Sequence, residues 1–192
     1  FMINDMMTGS ERMPVFKALF QSVTLRTAGF NTVDLNAMKQ ASVMIMIILM
    51  LIGGSPGSTA GGMKTTTFAV LLLSAITVFS RRNDVQCFKR RISDETVRSA
   101  GAVLFMYLVL FFTSGVIISR VENLPLLTCL FETSSAIGTV GLSLGITSGL
   151  SAVSLMILMF FGRVGGLTLI YAALPSADSQ NSRLPLEKIS VG

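Results

Sequence analysis

The sequence contains no histidine and no tryptophan, only two cysteines, and charged residues at just 13% of its 192 positions. Each shortage removes a class of function. Histidine is the commonest metal ligand and the usual general base near neutral pH. The two thiols, Cys87 and Cys129, form no Cys-x-x-Cys pair, and no acidic cluster stands at ligand spacing. Zinc chemistry and nucleophilic catalysis therefore have no residues to use, and no enzyme is expected. Cys87 lies in a basic stretch and Cys129 in an apolar one, so a disulfide between them is not expected either.

The scarcity of charge identifies the solvent. Soluble domains carry charge at about a quarter of their residues, whereas this chain is 51% apolar with a mean hydropathy of +0.70. Residues 37–52, 68–79, 99–119 and 151–174 are nearly free of charge, and a membrane-spanning helix needs about 20 such residues. A multi-pass integral membrane protein, bathed in lipid, is expected. The missing tryptophan is unusual for such a protein, and nothing in the sequence accounts for it. The net charge of +5 is concentrated: Arg81, Arg82, Lys89, Arg90, Arg91 and Arg98 fall in one stretch between apolar segments. That is a cytoplasmic loop under the positive-inside rule, not a nucleic-acid surface. No signal peptide is visible, and the opening at Phe1 rather than methionine suggests a longer polypeptide.

Residues 1–13 read as the end of a preceding helix and an external loop. Pro14 opens a helix over 14–25 that is only about 18 Å long, too short to span. Residues 26–32 have no helical period. Residues 37–80 are apolar apart from 53–62, which holds five glycines and a proline. One continuous helix there would be about 65 Å long, twice a bilayer core. Two spans joined by an outside loop would put the basic stretch on the wrong side. A single crossing, broken near its middle, keeps the charge topology, and non-helical backbone at that depth must be buried in protein or line a wet cavity. After the basic loop (81–95) come a span over 96–119, a short helix from Pro125 to Ile137, a loop over 138–145, a span over 150–174 and a cytoplasmic tail (175–192).

That order repeats because the sequence does. Leu19-Phe20-Gln21-Ser22 matches Leu130-Phe131-Glu132-Thr133, and Thr27-Ala28-Gly29-Phe30 matches Thr139-Val140-Gly141-Leu142 after a one-residue gap. Residues 48–53 match 157–162, and each short helix begins at a proline, Pro14 or Pro125, where the missing N–H has no intrahelical role. The expected fold is an all-α membrane protein of repeated span, pore helix, filter loop and span units, potassium-channel-like, with a broken inner helix. Residues 1–80 form one unit without its outer span and 96–174 a second, complete one. A cation leaving water needs oxygens in place of its hydration shell, and backbone carbonyls supply them. Glycine permits the close approach and unusual backbone of such a loop, and the negative end of a short helix favours the cation. Thr139-Val140-Gly141 is the string that begins the potassium-channel filter. Thr27, Ala28, Gly29, Thr139, Val140 and Gly141 are the candidate ligands, binding potassium through their carbonyls.

At these residues the sequence resembles the Ktr/Trk/HKT superfamily of cation transporters. Residues 22–32 resemble the third pore loop of that family and residues 53–67 the glycine-rich stretch of its third inner helix. Gly162-Arg163-Val164-Gly165-Gly166-Leu167 resembles its last helix. The resemblance implies four pore-loop repeats per subunit in the bacterial cytoplasmic membrane, paired as a homodimer on a ring of nucleotide-binding regulatory subunits. The N-terminal half of the same subunit would supply the first two repeats. It also implies potassium uptake, no cofactor in this chain, and nucleotide only through the regulatory partner. Gly29 and Gly141 become two of four filter glycines. Gly53, Gly54, Ser55, Gly57, Ser58, Thr59, Gly61 and Gly62 become an intramembrane gating loop.

Arg163 lies about 20 Å into the last span, where an arginine must face the bundle or a wet cavity. It either snorkels and ties helices together or, as favoured here, stands on the pore wall by the gating loop. Lys64 does similar work or snorkels. Arg26 is expected to bond carbonyls at the end of the first short helix, and the matched pair Gln21 and Glu132 to buttress the filter backbone. Met44, Met46 and Met50 read as packing, and the basic loop as a site for the regulator or for anionic lipid. The alternative function is a sodium-coupled or sodium-conducting secondary transporter with a midplane site. That reading explains the broken helix but not two proline-started short helices ending in similar loops.

Overall fold

The computed structural model describes residues 15–82, 84–88, 90–145 and 149–165. Expectations for residues 1–14, Lys89, Gly166, Leu167, the remainder of the last span and the tail lie outside them. The described chain is mostly helical: α1 (Val15–Thr24), α2 (Gln40–Leu51), α3 (Thr65–Phe79), α4 (Asp94–Glu122), α5 (Leu126–Ile137) and α6 (Gly149–Val164). A 3-10 turn, Leu35–Ala37, precedes α2 and is capped by Asp34, whose carboxylate accepts from the Asn36 amide.

Helix α4 is bounded by sequence features of the expected kind. The Ser93 side chain accepts from the Thr96 amide, Asp94 and Glu95 fill the first turn, Arg120 lies in the last, and Asn123 closes the helix in the left-handed conformation. These features satisfy the end groups and complement the helix dipole. Its 29 residues extend about 43 Å. Among the described helices it alone is long and apolar enough to cross a membrane, while α2, α3, α5 and α6 are shorter apolar helices. The helical interval expected over 37–80 is divided, with α2 ending at Leu51 and α3 beginning at Thr65.

Helix α5 is the centre of the packing and touches α2, α4 and α6. All of its residues from Cys129 to Ile137 are buried, the condition of a helix enclosed on every side. Its hydroxyls return to its own turns, Thr133 Oγ1 donating to the Leu130 carbonyl at 3.0 Å and Ser134 Oγ to Phe131 at 2.7 Å. Met46 and Met50 of α2 are buried, whereas Met44 faces outward. Close approach of α6 depends on Gly162, where a side chain would overlap the Ile137 carbonyl oxygen. Small residues at such crossings are the usual means of packing helices in lipid.

Helix α1 contrasts with α5. It buries Ala18, Gln21 and Thr24 but exposes Val15, Leu19, Phe20, Val23 and Phe16, the last at 87%. The basic stretch, expected only as a loop, contains a small antiparallel hairpin of β1 (Gln86–Cys87) and β2 (Arg90–Arg91). Arg91 pairs with Asp84 at 3.0 Å and with Asp94 at 3.8 Å, exposed contacts of small energetic value. Cys87 and Cys129 are free thiols.

Gly162→Val in the full-length protein is expected to force α5 and α6 apart and destabilise the fold by about 1–3 kcal/mol, the usual penalty of overpacking. The check is a lowered unfolding midpoint in detergent, with Gly149→Val, at an open position, close to the parent.

Candidate functional site

The two loop segments that leave α1 and α5 are built alike. After α1, the amides of Ala28 and Gly29 both return to the Thr24 carbonyl at 3.2 Å. After α5, the Gly138 amide returns to Ser134 at 2.8 Å, Thr139 to Ala136 at 3.0 Å and Val140 to Ser135 at 2.9 Å. Positive φ then falls at matched residues: Thr27 (61°) and Gly29 (74°) in one segment, Thr139 (50°) and Gly141 (92°) in the other. A β-branched threonine in that region carries strain of about 1–3 kcal/mol, and it occurs here at the same place twice. With the amides turned back into the helix ends, the carbonyls of Thr27, Ala28, Gly29, Thr139, Val140 and Gly141 accept no backbone hydrogen bond among the described residues.

The segments also meet. A side chain at Gly29 would overlap the Val140 carbonyl oxygen and come within 3.6 Å of the Gly141 Cα. Gly29 is thus required twice over, by its φ and by the backbone opposite it.

Behind the second segment stands Glu132, only 5% exposed. Its Oε1 accepts from the Ser143 hydroxyl at 2.6 Å and from the Leu144 amide at 2.5 Å. Gln21, at the matched position in α1, is fully buried, and neither its amide oxygen nor its nitrogen has a partner among the described residues. The first segment is tied instead by Thr24, whose hydroxyl donates to the Phe30 carbonyl at 2.8 Å, a contact that sequence reasoning missed. Arg26 also departs from expectation. Its side chain is exposed and bonds no described residue, and the contact it contributes is its own amide to the Val23 carbonyl at 3.0 Å. Backbone amides already occupy the helix-end carbonyls.

Residues 53–62 form a closed excursion between α2 and α3. Its neck is pinned by Gly53 N to Met63 O at 2.7 Å, Met63 N to Leu51 O at 3.2 Å and Thr65 N to Gly54 O at 3.2 Å. Gly53, Gly61 and Gly62 are buried there, and residues 55–59 form an exposed tip. Within the tip, Ser58 donates to the Ser55 carbonyl from both its amide and its hydroxyl. Lys64 holds the returning strand, its Nζ donating to the carbonyls of Ala60 at 2.6 Å and Ser58 at 3.2 Å. The neck is thus tied by backbone bonds, and the tip, which includes Gly57 and Thr59, is exposed.

The neck also reaches the second loop segment. The Gly61 amide donates to the Thr139 hydroxyl at 3.0 Å, across 78 positions of sequence, and the Gly62 amide to the Gly162 carbonyl at 3.3 Å. Arg163 follows Gly162, but its side chain is exposed and makes no hydrogen bond or ion pair with a described residue. The structure therefore brings together Thr27–Gly29, Thr139–Gly141 and the loop neck, adds Lys64 to the loop, and leaves the Arg163 guanidinium apart. One sequence signal did point to the junction. Gly53 and Gly162 are matched in the repeat, and at each an added side chain would overlap a carbonyl oxygen, that of Gly61 or of Ile137.

Among the described residues no group of histidine, cysteine, aspartate and glutamate is arranged to hold a metal. What the arrangement offers a ligand is neutral carbonyl oxygen, which suits a weakly hydrated monovalent cation.

Glu132→Ala leaves the Ser143 hydroxyl and the Leu144 amide without their acceptor and is expected to lower stability by about 1–3 kcal/mol. Glu132→Gln retains a carbonyl oxygen at that place and should lose less. Unfolding midpoints of the full-length variants decide it, and equal losses would show that the charge, not the acceptor, matters.

Comparison with known proteins gives a consistent result. Residues 3–182 match the TrkH family, described as a cation transport protein. Potassium uptake protein D of the Ktr system of Bacillus subtilis (strain 168) is 40% identical over 93% of this chain and 40% of its own length. Ktr system potassium uptake protein B of Vibrio alginolyticus is 37% identical over 88% of this chain and 37% of its own length. The potassium/sodium uptake protein NtpJ of Enterococcus hirae is 36% identical over 96% and 43%. The chain thus spans about two fifths of the length of these relatives. The crystal structure of the potassium transporter TrkH from Vibrio parahaemolyticus superposes with a TM-score of 0.71 at 22% identity, covering 83% of this chain and 37% of that one. The likeness shows a shared fold.

Proposed function

The chain belongs to the TrkH family of cation transport proteins, and from that premise we propose that it supplies two of the pore-loop units of a potassium uptake pathway in the bacterial cytoplasmic membrane. Residues 1–80 are the third unit and 96–174 the fourth, joined by the cytoplasmic loop 81–95 and followed by a cytoplasmic tail. Helices α1 and α5 are the pore helices, and the loops after them contribute two sides of the filter. The observation that carries this reading is the pair of matched Thr-x-Gly turns, each with positive φ at threonine and glycine, with carbonyls free of backbone bonds and with Gly29 against Val140. Carbonyl rings of this kind replace the hydration shell of a cation without fixed charge.

The segment 53–62 is the gate beneath the filter. Its buried neck contacts Thr139 and Gly162 while its tip is exposed, which supports a loop anchored at its base and movable at its end. Helix α3 follows the loop directly and leads to the cytoplasmic hairpin, a route by which a cytoplasmic partner can pull on it. The partners proposed are the N-terminal half of the same subunit, a second copy of the protein, and a nucleotide-binding regulatory ring. The relatives named as members of a Ktr system support a multi-subunit assembly. The exposed apolar face of α1 supports a further span packed beside it. A sodium-conducting pathway is the second reading, favoured by the relative named for both potassium and sodium.

In a bacterial strain lacking other potassium uptake systems, Gly141→Ser in the full-length protein is expected to weaken apparent potassium affinity by about tenfold, or 1.4 kcal/mol, with folded protein retained. Gly29→Ser should be worse, since its side chain also meets the Val140 carbonyl. Unchanged affinity and unchanged discrimination against sodium in both would remove these loops from the filter. Uptake assayed in sodium against potassium separates the two readings.

Deleting residues 56–60 removes most of the tip together with the Ser58 and Ala60 carbonyls that Lys64 holds, and leaves the neck bonds of Gly53, Gly54 and Met63 and the Gly61 amide. Higher flux that no longer responds to the regulatory partner, with selectivity kept, is the expected result. Wild-type flux and regulation would show that the segment only breaks the helix.

A further inference from the structure

We propose that Thr139 is the positioning residue that couples the loop 53–62 to the filter, its hydroxyl acting as the latch for the Gly61 amide. The proposal rests on the reading of that loop as a gate and names the contact by which gate and filter sense each other. Among the described residues Thr139 is the filter side chain that bonds the loop, at 3.0 Å from Gly61 N. The fit is steric as well as polar. A Cβ on Gly61 would lie 2.6 Å from both the Thr139 methyl and its hydroxyl, and a Cβ on Gly62 would lie 3.3 Å from the Gly138 Cα. Gly61 does not have the positive φ that would demand glycine, so Thr139 itself is what excludes a side chain there.

The matched residue of the other segment shows what a threonine does at this position without the loop. The Thr27 hydroxyl donates to its neighbour, the Arg26 carbonyl, at 2.7 Å, and no loop amide reaches it. The two threonines share a positive φ, 61° and 50°, so the difference lies in the partner and not in the local backbone. A hydroxyl has one proton to donate and two lone pairs to accept. With the loop seated, one lone pair of Thr139 is committed to Gly61. With the loop withdrawn, that lone pair is released beside the Thr139 carbonyl, at the rung of the filter next to the gate. Loop position and the oxygen set offered to the ion at that rung are thus linked, and loss of the bond favours the withdrawn loop.

The experiment measures potassium flux into lipid vesicles by the purified full-length protein without its regulatory partner. Thr139→Val keeps the shape and removes the acceptor, and it is expected to raise flux roughly two- to tenfold, the range of one net hydrogen bond. Thr139→Ser keeps the acceptor for the Gly61 amide, so its flux is expected to rise less than that of Thr139→Val. Gly61→Ala leaves the filter sequence untouched, pushes the neck off Thr139 and should raise flux as Thr139→Val does. The double variant should rise no further than the larger single change, as expected for two halves of one contact. Equal flux in Thr139→Ser and Thr139→Val, or multiplicative effects of Thr139→Val and Gly61→Ala, would overturn the latch. If Thr139→Val does not fold, Gly61→Ala decides: raised flux sustains the proposal and parental flux ends it. The 56–60 deletion separates the two levels. If it raises flux while Thr139→Val and Gly61→Ala do not, the latch is wrong and the gate stands. If none of the three raises flux, both fall.

Discussion

Backbone amides and carbonyls that leave a helix inside an apolar medium must find partners within the protein, or face water or an ion. Among the described residues, the irregular segments 26–32, 53–62 and 138–145 each answer that constraint. In the first and third, the amides fold back onto the end of the preceding helix while the carbonyls are left free of backbone partners. In the second, the strands entering and leaving the loop satisfy each other at the neck. The first and third segments thus consume amides in structure and leave carbonyl oxygens without backbone partners, whereas the second consumes both.

Glycine makes the arrangement compact, for reasons that differ from site to site. Gly29 needs both its φ and its missing side chain, because the Val140 carbonyl lies against it. Gly162 sits in an ordinary helix and is there because the Ile137 carbonyl approaches α6. Gly61 yields its place to the Thr139 side chain. These contacts put the end of α5, the neck of the 53–62 loop and α6 at one junction.

The two helices that carry the matched sequence stretches differ in their surroundings. Helix α5 is enclosed, and its buried carboxylate Glu132 holds the backbone that follows the loop. Helix α1 has a broad exposed apolar face, and its buried Gln21 holds nothing among the described residues, while Thr24 does the tying. A carboxylate accepting two hydrogen bonds is a stiffer support than a single hydroxyl, so the second loop is the more firmly held of the pair. It is also the one that meets the loop neck.

Much of this could be read without coordinates. The shortage of charge and the lengths of the apolar runs identified the solvent, because burial in lipid constrains composition everywhere along the chain. The internal match of 19–22 with 130–133 and of 27–30 with 139–142 located both loops, because a backbone of unusual φ restricts its residues locally. Even the Glu132 contact was within reach, since its partners lie only 11 and 12 residues away. Other features were decided by tertiary structure alone. The firmness of the 53–62 neck comes from strands that bond each other across the loop, which composition cannot express. Arg26 bonds no helix-end carbonyl because backbone amides had already taken those carbonyls. The meeting of Gly29 with Val140, and of Gly61 with Thr139 across 78 residues, depends on how helices from the two units pack. Sequence records what each segment can do by itself; which segments touch is set by the packing of α5 among its neighbours.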